Sequence, residues 1–261
     1  SLTSHRKAKL SDARTFQMPN TLVTNLPILF EDPDLFILSK PSLIHSVMSA
    51  TSTSPSVAEQ LLETNPWLKP VSEKNEDAGL VQRLDFETSG ILLGAKTREV
   101  WQKLRAMLKS GEIQKSYQAI AEGQIEQAIE IENYIGSPNR RASKVRVYTE
   151  KPRKSERALP ADTKITPISY ISKIDATLIE ASAPTARRHQ IRAHAAFSGH
   201  PLLGDMKYGA KRRLPESVRG ACPAFILHAL TIRLLHPVTD ALVDVKAELP
   251  EYVKHYLTNT E

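Results

Sequence analysis

A carboxylate close to a guanidinium, in a polar loop ahead of an apolar run, is the feature of this sequence best suited to chemistry. Asp85 lies two residues after Arg83, within Gln-Arg-Leu-Asp-Phe-Glu-Thr-Ser-Gly at 82–90. The residues that follow, Ile-Leu-Leu-Gly-Ala at 91–95, predict a short buried strand. Loops held by such a scaffold often carry function, so Asp85 is a candidate catalytic carboxylate. Taken alone, the same residue could equally serve only to shape a turn.

A second stretch offers a phenol and an amine on one face of a strand. From Lys115 to Ala121 every second residue has the same orientation if the chain is extended, so Tyr117 shares a face with Lys115. Both side chains could therefore enter the same site.

A third stretch, 185–198, has the pattern of a helix capped by Thr185. Arg188 and Arg192 are four residues apart and so would lie on one helical face. Two arginines there repel each other unless an anion lies nearby. A guanidinium also keeps a neighbouring carboxylate ionised, which makes a pairing with Asp85 chemically plausible.

These stretches resemble, in order, the signature motifs of pseudouridine synthases of the RluA family. The first three blocks are similar to the family's Arg-Leu-Asp-x-x-Thr-Ser-Gly loop, its Lys-x-Tyr-x-Ala strand and its His-Gln-Ile-Arg-Val-His helix, and they lie at 83–90, 115–119 and 189–194. Two later blocks also match, namely Gly-His-Pro at 199–201 with Gly204-Asp205 and Tyr208-Gly209, and Leu-His-Ala at 227–229 with His236-Pro237. Five blocks in family order, spread from about residue 34 to residue 250, make the resemblance specific.

The resemblance implies an RNA-modifying isomerase. Such an enzyme breaks the N-glycosidic bond of a uridine, rotates the base and rejoins it through C5. Asp85 would be the catalytic carboxylate, Arg192 its ion-pair partner, and Tyr117 a group that lies against the target base and assists proton transfer. Whether Asp85 attacks the sugar, attacks the base or abstracts a sugar proton stays open.

The resemblance also implies residues that bind the substrate. Arg83 would occupy the gap left in the RNA by the extruded nucleotide, and Ile191 would help to pack the pocket floor. We expect His189, Lys115 and Arg188 to bind the substrate as well. We expect no cofactor and no metal, since the sequence has no Gly-rich phosphate loop, no nicotinamide fingerprint and no metal cluster.

Charge and substrate chemistry both favour RNA as the partner. The chain has a formal net charge of +6 and a pI near 9.3. The segment 140–157 contains eight basic and two acidic residues, which favours contact with phosphates. A uridine inside a helix must be flipped out to react, and loops of RNA release a base more easily. We therefore expect a stem-loop uridine in structured rRNA or tRNA.

The pattern of elements predicts an α+β fold. The resemblance specifies a pseudouridine synthase fold, with a mixed, mainly antiparallel central sheet flanked by helices and loops and a cleft along the sheet. We expect a basic N-terminal arm at 1–20 and one catalytic domain at 21–261, with no S4-type RNA-binding module visible. The sequence further predicts helices that start after Ser56 and Thr97 and a last helix near 251–257. It also predicts strands at 34–41, 145–148, 163–171, 177–181, 226–234 and 242–249.

The composition fits a soluble protein. The hydrophobic share is 41%, no apolar stretch approaches the roughly 20 residues of a membrane span, and the N-terminus lacks a secretory signal. The single cysteine, Cys222, excludes an intramolecular disulfide. We therefore expect a cytoplasmic protein without membrane contact, and a monomer.

Several alternatives compete with this interpretation. His189, His194 and His200 could suggest a metal site, but their spacings of five and six match no known ligand pattern. His228, on an apolar strand face, is more typical of a hydrogen-bonded core residue. A non-catalytic RNA-binding or ribosome-assembly factor on the same fold is the main functional alternative, and an enzyme acting on free uridine is another.

The sequence also departs from the family pattern near the proposed site. Gln82 stands where the family usually has His, and Ala186-Arg187-Arg188 stands where it usually has Gly-Arg-Thr. Neither change touches Asp85, Tyr117 or Arg192, although Arg188 adds a positive charge nearby.

Overall fold

A ten-stranded sheet organises the computed structural model, which describes residues 20–139, 141–215 and 223–260. The elements in chain order are β1 Ile28–Glu31, β2 Leu35–Lys40, α1 Val57–Thr64, β3 Ser89–Ala95, α2 Arg98–Ser110, β4 Gln114–Glu122, β5 Ile129–Gly136, β6 Arg146–Tyr148, β7 Leu159–Ile171, β8 Ala176–Ser182, α3 Gln190–Phe197, β9 Leu227–Leu235, β10 Leu242–Lys246 and α4 Glu251–Thr260. The predicted α+β class is confirmed. Cys222 and nearly all of the predicted basic arm lie outside the described residues.

The sheet is antiparallel except at one pair of strands. Its order is β1-β2-β3-β9-β4-β8-β7-β5-β6, with β10 also paired to β9, and among the strands that the structure describes only β3 and β9 run parallel. Gly90 pairs with Ala229 on one side of β9, and Tyr117 pairs with the same Ala229 on the other. The register therefore brings the loop before β3 level with Tyr117, two strand spacings of about 4.8 Å away.

Local sequence signals explain where the first two helices begin and end. Ser56 and Glu59 form a reciprocal capping box at the start of α1, as the spacing predicts. The Thr97 side chain accepts a hydrogen bond from the Val100 N–H at the start of α2, and Gly111 ends that helix with a φ of +78°. These helices pack apolar faces on β2 and β3 in the largest hydrophobic cluster.

Two strands, β1 and β5, escaped prediction. β5 alternates apolar and polar residues, but Asn133 occupies one of its buried positions. Asn133 is accommodated there because its Oδ1 lies 2.7 Å from Nε2 of His194 on α3. The pairing that makes this buried amide favourable is 61 residues away, so no local pattern reveals it.

No helix among the described residues is long and apolar enough to span a membrane.

The parallel pairing of β3 with β9 requires a glycine at position 90. This residue has a φ of +108°, and a Cβ there would overlap the backbone of Ala229. We expect Gly90→Ala to lower the free energy of unfolding by at least about 3 kcal/mol, because it combines an unfavourable φ with a backbone clash. Urea unfolding followed by circular dichroism would measure the loss.

Gly199 provides the matched control. It also has a positive φ, +87°, but a Cβ there would meet nothing within 4 Å. Gly199→Ala should therefore cost only about 1–2 kcal/mol. Equal losses in the two variants would mean that close approach of β3 and β9 does not matter.

Candidate active site

All eight predicted site residues line a single cleft with a volume of about 1820 Å³. They are Asp85, Tyr117, Arg192, Arg83, Ile191, His189, Lys115 and Arg188. They come from three parts of the chain, so the fold brings together groups that the sequence separates by up to 109 positions, from Arg83 to Arg192.

The loop that carries Asp85 is held from both sides. The Thr88 N–H donates to the Asp85 carbonyl at 3.1 Å and closes the turn, while the Leu43 N–H donates to the Phe86 carbonyl at 2.8 Å. Lys40, at the end of β2, is buried and also reaches this loop. Backbone bonds on both sides of the carboxylate therefore determine where it points.

Lys40, which was not predicted from the sequence, is buried directly behind the loop of Asp85. Its Nζ donates to the carbonyls of Pro41 and Ile44 at 2.8 Å and lies 3.5 Å from that of Phe86. Burial lowers the pKa of Lys40 to about 7, and the charge of Asp85 opposes this fall. The available signal was a lysine at the end of an apolar strand, directly before a proline.

Arg192 contacts two carboxylates. Its Nε and Nη2 donate to Asp205 at 2.7 and 2.9 Å, whereas its Nη1 lies 3.5 Å from Oδ2 of Asp85. The guanidinium carbon also lies 4.4 Å from the centre of the Phe225 ring and 5.0 Å from that of Tyr208. The expected Asp85–Arg192 pair is thus the longer of two contacts, and Asp205 is the residue that holds the guanidinium in place.

Burial and charge act in opposite directions on Asp85. Burial raises the pKa of its carboxyl above the ordinary value, while the positive charges of Arg192, Arg188 and Lys40 oppose that rise. The side chain keeps 28% of its surface exposed to the cleft. The result is a carboxylate that is more basic than one in water and is still accessible to a ligand in the cleft.

His189 is a neutral group whose proton is placed by its neighbours. Burial, with Arg192 and Arg188 nearby, lowers the pKa of His189 to about 3. The Val145 N–H donates to the Tyr208 hydroxyl at 3.0 Å, and that hydroxyl lies 2.7 Å from Nδ1 of His189. Because the hydroxyl already accepts from Val145, this arrangement favours donation of its own proton to Nδ1, which places the imidazole proton on Nε2, 3.8 Å from the Asp85 carboxylate.

The helix that carries Arg192 starts later than predicted. It begins at Gln190, after His189 with a φ of +53°, and Thr185 does not cap it. The Thr185 hydroxyl instead donates to the Gln190 side chain at 3.0 Å, and the Arg187 N–H donates to the same amide oxygen, also at 3.0 Å. These bonds close a loop where the pattern predicted a first helical turn.

Arg188 consequently lies in that loop, and the prediction that it shares a helical face with Arg192 is wrong. Its guanidinium donates to the carbonyls of Ala142 and Ser143 at 2.8 and 3.3 Å. Arg188 therefore fastens the basic segment 141–157 to the edge of the cleft, close enough to Asp85 to influence its charge.

Tyr117 and Lys115 face the cleft in different ionisation states. Burial and the charge of Asp85 raise the pKa of Tyr117 to about 12, so its hydroxyl stays protonated. Burial lowers the pKa of Lys115 to about 8, and Arg187 adds to the fall. Lys115 has no hydrogen-bond or ion-pair partner among the described residues, so its ammonium is available to an anion.

Arg83 lies apart from the carboxylate it follows in sequence. Its Nη2 is 3.3 Å from the Asp77 carboxylate, and 57% of its side chain is exposed. Ile191 is buried at the start of α3 and packs in the hydrophobic cluster that includes Ala181 and Phe225.

The three clustered histidines have separate partners. His194 lies within 2.6 Å of Thr163 and 2.7 Å of Asn133, and Nδ1 of His200 lies 2.8 Å from the Glu122 carbonyl. His228, as predicted, is a hydrogen-bonded core residue, with Ser89 at 2.8 Å and the Ala247 carbonyl at 3.1 Å.

Another trio has ligand atoms close enough for a cation, namely Asp32, Asp34 and His236. Nδ1 of His236 accepts the N–H groups of Val238 and Thr239, both at 3.1 Å. The imidazole proton therefore lies on Nε2, which is 2.8 Å from Asp32. This arrangement favours a contact between imidazole and carboxylate over metal coordination.

Comparison with known proteins gives consistent matches. Residues 34–197 match the RNA pseudouridylate synthase family. The chain is 35% identical over 231 residues to ribosomal large subunit pseudouridine synthase C of Pasteurella multocida, covering 88% of this chain and 66% of that protein. It is 35% identical over 230 residues to the protein of the same name from Haemophilus influenzae, covering 88% and 67%. The chain therefore spans about two thirds of the length of these relatives.

A solved structure agrees in fold. Human RNA pseudouridylate synthase domain containing 1 superposes with a TM-score of 0.62 and 25% identity, over 87% of this chain and 84% of that one.

The unequal contacts of Arg192 lead to a prediction about stability. Asp205→Asn removes the carboxylate that makes two short bonds to a buried guanidinium, so we expect it to lower the free energy of unfolding by about 3 kcal/mol. Asp85→Asn leaves both of those bonds intact and should change stability by less than about 1 kcal/mol. Urea unfolding of the two variants side by side would test this. A larger loss in Asp85→Asn would show that Asp85 is the main partner of Arg192, and equal losses would show that Asp205 does not dominate.

Proposed function

The chain belongs to the RNA pseudouridylate synthase family, and we propose that it isomerises uridine to pseudouridine in large-subunit ribosomal RNA, with Asp85 as the catalytic carboxylate. One observation carries the assignment of Asp85. It is a cleft carboxylate that approaches Arg192 at 3.5 Å and influences the ionisation of Tyr117. The printed names of the two bacterial relatives support the choice of ribosomal RNA.

The reaction needs no redox partner. Isomerisation breaks the bond from C1′ of the ribose to N1 of uracil and forms one from C1′ to C5. C5 loses a proton and N1 gains one, so the atoms and electrons balance without a cofactor. A basic carboxylate and a protonated phenol, as at Asp85 and Tyr117, are suited to the proton transfers and to charge that develops at C1′.

The charge of the cleft favours a polyanion. Ten basic residues and five acidic residues line the cleft, and the basic segment 141–157 beside it adds further positive charge. The basic residues are Lys74, Arg83, Arg105, Lys109, Lys115, Arg187, Arg188, Arg192, Lys207 and Arg213, and the acidic ones are Glu73, Asp77, Asp85, Glu87 and Asp205. We infer that phosphates neutralise this excess and fix the register of the RNA.

Base flipping follows from the position of the carboxylate. Asp85 lies inside a cleft, where a stacked and paired uridine has no access, so the target nucleotide must leave its stack. Lys115 would bind a phosphate close to the flipped nucleotide, and the exposed Arg83 would enter the gap left in the RNA. A uridine in a stem-loop is the easiest to extrude, which favours rRNA loops and keeps tRNA loops as the second candidate.

The wider setting is part of the same proposal. All eight site residues come from one chain, which supports a monomer as the active form. Ribosomal RNA as substrate and the near absence of cysteine support a cytoplasmic enzyme. A non-catalytic RNA-binding factor is disfavoured, because such a protein has no need of Asp85, Tyr117 and Arg192 in one cleft.

We expect Asp85→Asn to abolish pseudouridine formation while folding and RNA binding survive. The amide keeps the shape of the carboxyl but can neither accept a proton nor stabilise positive charge. Tritium release from [5-³H]uridine-labelled ribosomal RNA would measure the activity, and fluorescence anisotropy the RNA binding. Undiminished tritium release would remove Asp85 from the mechanism.

Glu87→Gln is the matched control for this experiment. It removes a carboxylate from the same loop without touching the Arg192 contact, so substantial activity should remain. An assay with free uridine in place of RNA distinguishes the proposed enzyme from one that acts on free nucleosides. Turnover of free uridine without RNA would favour a nucleoside-level enzyme.

The pKa of Lys115 predicts how RNA affinity depends on pH. The ammonium is charged below about 8 and loses its proton above that value, so the attraction for a phosphate is present at lower pH and is lost as the pH rises. We expect kcat/KM to fall on the alkaline side of about pH 8. Lys115→Met should have a lower kcat/KM that no longer falls there, whereas an unchanged profile in this variant would contradict the assignment.

A further inference from the structure

One wall of the cleft lies outside the catalytic set. Four residues on one side of α2, which we call the α2 wall, line the same cleft as Asp85, and they are Trp101, Arg105, Leu108 and Lys109. Their spacing places them on one helical face. The wall extends over about 12 Å from Trp101 to Lys109, at ~1.5 Å per residue, which is the length of roughly three stacked nucleotides at ~3.4 Å each.

The α2 wall is fixed to the segment that leads into the catalytic loop. The indole Nε1 of Trp101 donates to the Leu80 carbonyl at 3.0 Å, and Nη1 of Arg105 donates to the Val81 carbonyl at 3.0 Å. The guanidinium of Arg105 also lies 5.8 Å from the centre of the Trp101 ring. The wall therefore has a set position relative to Asp85, four residues after Val81.

Positive charge on this helix is distributed unevenly. Lys103, which does not line the cleft, is paired with Glu99 at 2.9 Å. Lys109 lines the cleft, is exposed, and has no ion-pair or hydrogen-bond partner among the residues that the structure describes. Arg105 is exposed as well and donates one hydrogen bond, to the Val81 carbonyl. The outer face is thus neutralised, while the cleft face keeps its charge.

We propose that the α2 wall binds the phosphodiester backbone of the RNA strand that runs away from the flipped uridine, with Lys109 and Arg105 contacting successive phosphates. This inference rests on the proposed function for its choice of RNA as the polyanion. It adds a second contact surface to the basic segment 141–157, which is fastened to the cleft by Arg188 on a different part of the chain. The two surfaces together would hold the strand on both sides of the target.

Lys109→Gln and Lys103→Gln form a matched pair for the test, since they remove the same charge from one residue of α2 that lines the cleft and from one that does not. The probe is a fluorescein-labelled RNA stem-loop with a uridine in its loop, and the same RNA shortened to the loop alone. We expect Lys109→Gln to bind the full stem-loop about three- to tenfold more weakly and to reduce the slope of log affinity against log salt by about 0.7, one phosphate contact. Lys103→Gln should match the wild type.

The shortened RNA locates the contact. Because the α2 wall is expected to hold flanking nucleotides, Lys109→Gln and the wild type should bind the loop alone equally well. In tritium release with the full stem-loop, KM should rise while kcat stays unchanged. Equal binding of the stem-loop by the two variants, or a Lys109 effect that persists on the loop alone, would overturn the proposal.

Failure of the proposed function would have a different signature. A wild-type protein that binds the stem-loop but forms no pseudouridine would overturn the activity, and the contrast between Lys109 and Lys103 in binding would still decide the α2 wall. Thermal unfolding of both variants would show whether the helix itself is intact.

Discussion

The buried guanidinium of Arg192 is the constraint on which the site depends. A charge that is 5% exposed needs an anion held at close range, and Asp205 provides two short bonds. Since Asp205 largely satisfies Arg192, the contact with Asp85 can remain long. A carboxylate that is only partly neutralised keeps its basicity, whereas one held by two short bonds to an arginine loses it.

Neutral groups complete this arrangement. His189 and Tyr117 both lie near charges, yet their pKa values of about 3 and about 12 keep them uncharged at neutral pH. Their protons are therefore available in defined places: one on Nε2 of the imidazole and one on the phenol. The site thus combines one basic carboxylate with nearby neutral donors, while the net positive charge lies on the other residues that line the cleft.

The sequence predicted which residues share the cleft better than it predicted the contacts between them. The order of the motif blocks pointed to Asp85, Tyr117 and Arg192, and the cap signals at Ser56 and Thr97 placed two helices correctly. The partners of these residues follow from contacts between distant segments, which no local pattern encodes. Asp205 on Arg192 and Lys40 beneath the Asp85 loop are such contacts.

The error at the third helix has the same physical origin. Thr185 looks like a helix cap from its neighbours, but the Gln190 side chain competes for its hydroxyl and for the backbone ahead of the helix. Side-chain hydrogen bonds thus selected a loop over a first helical turn, although the local sequence is compatible with both. For the same reason Arg188 lies in the loop before the helix, where it contacts the basic segment, and not on the predicted helical face.

The parallel pairing of β3 with β9 also governs when the site can form. Ser89 and His228, which hydrogen-bond across this pair, are 139 residues apart. Contacts of such long range close large loops and are typical of slow steps in folding. During synthesis, the strand that follows the loop of Asp85 cannot pair with β9 until β9 has left the ribosome. Under the proposed function, the site is therefore completed late, after the basic segment 141–157 and the α2 wall have been synthesised, and the nascent chain would attract RNA before it could modify it.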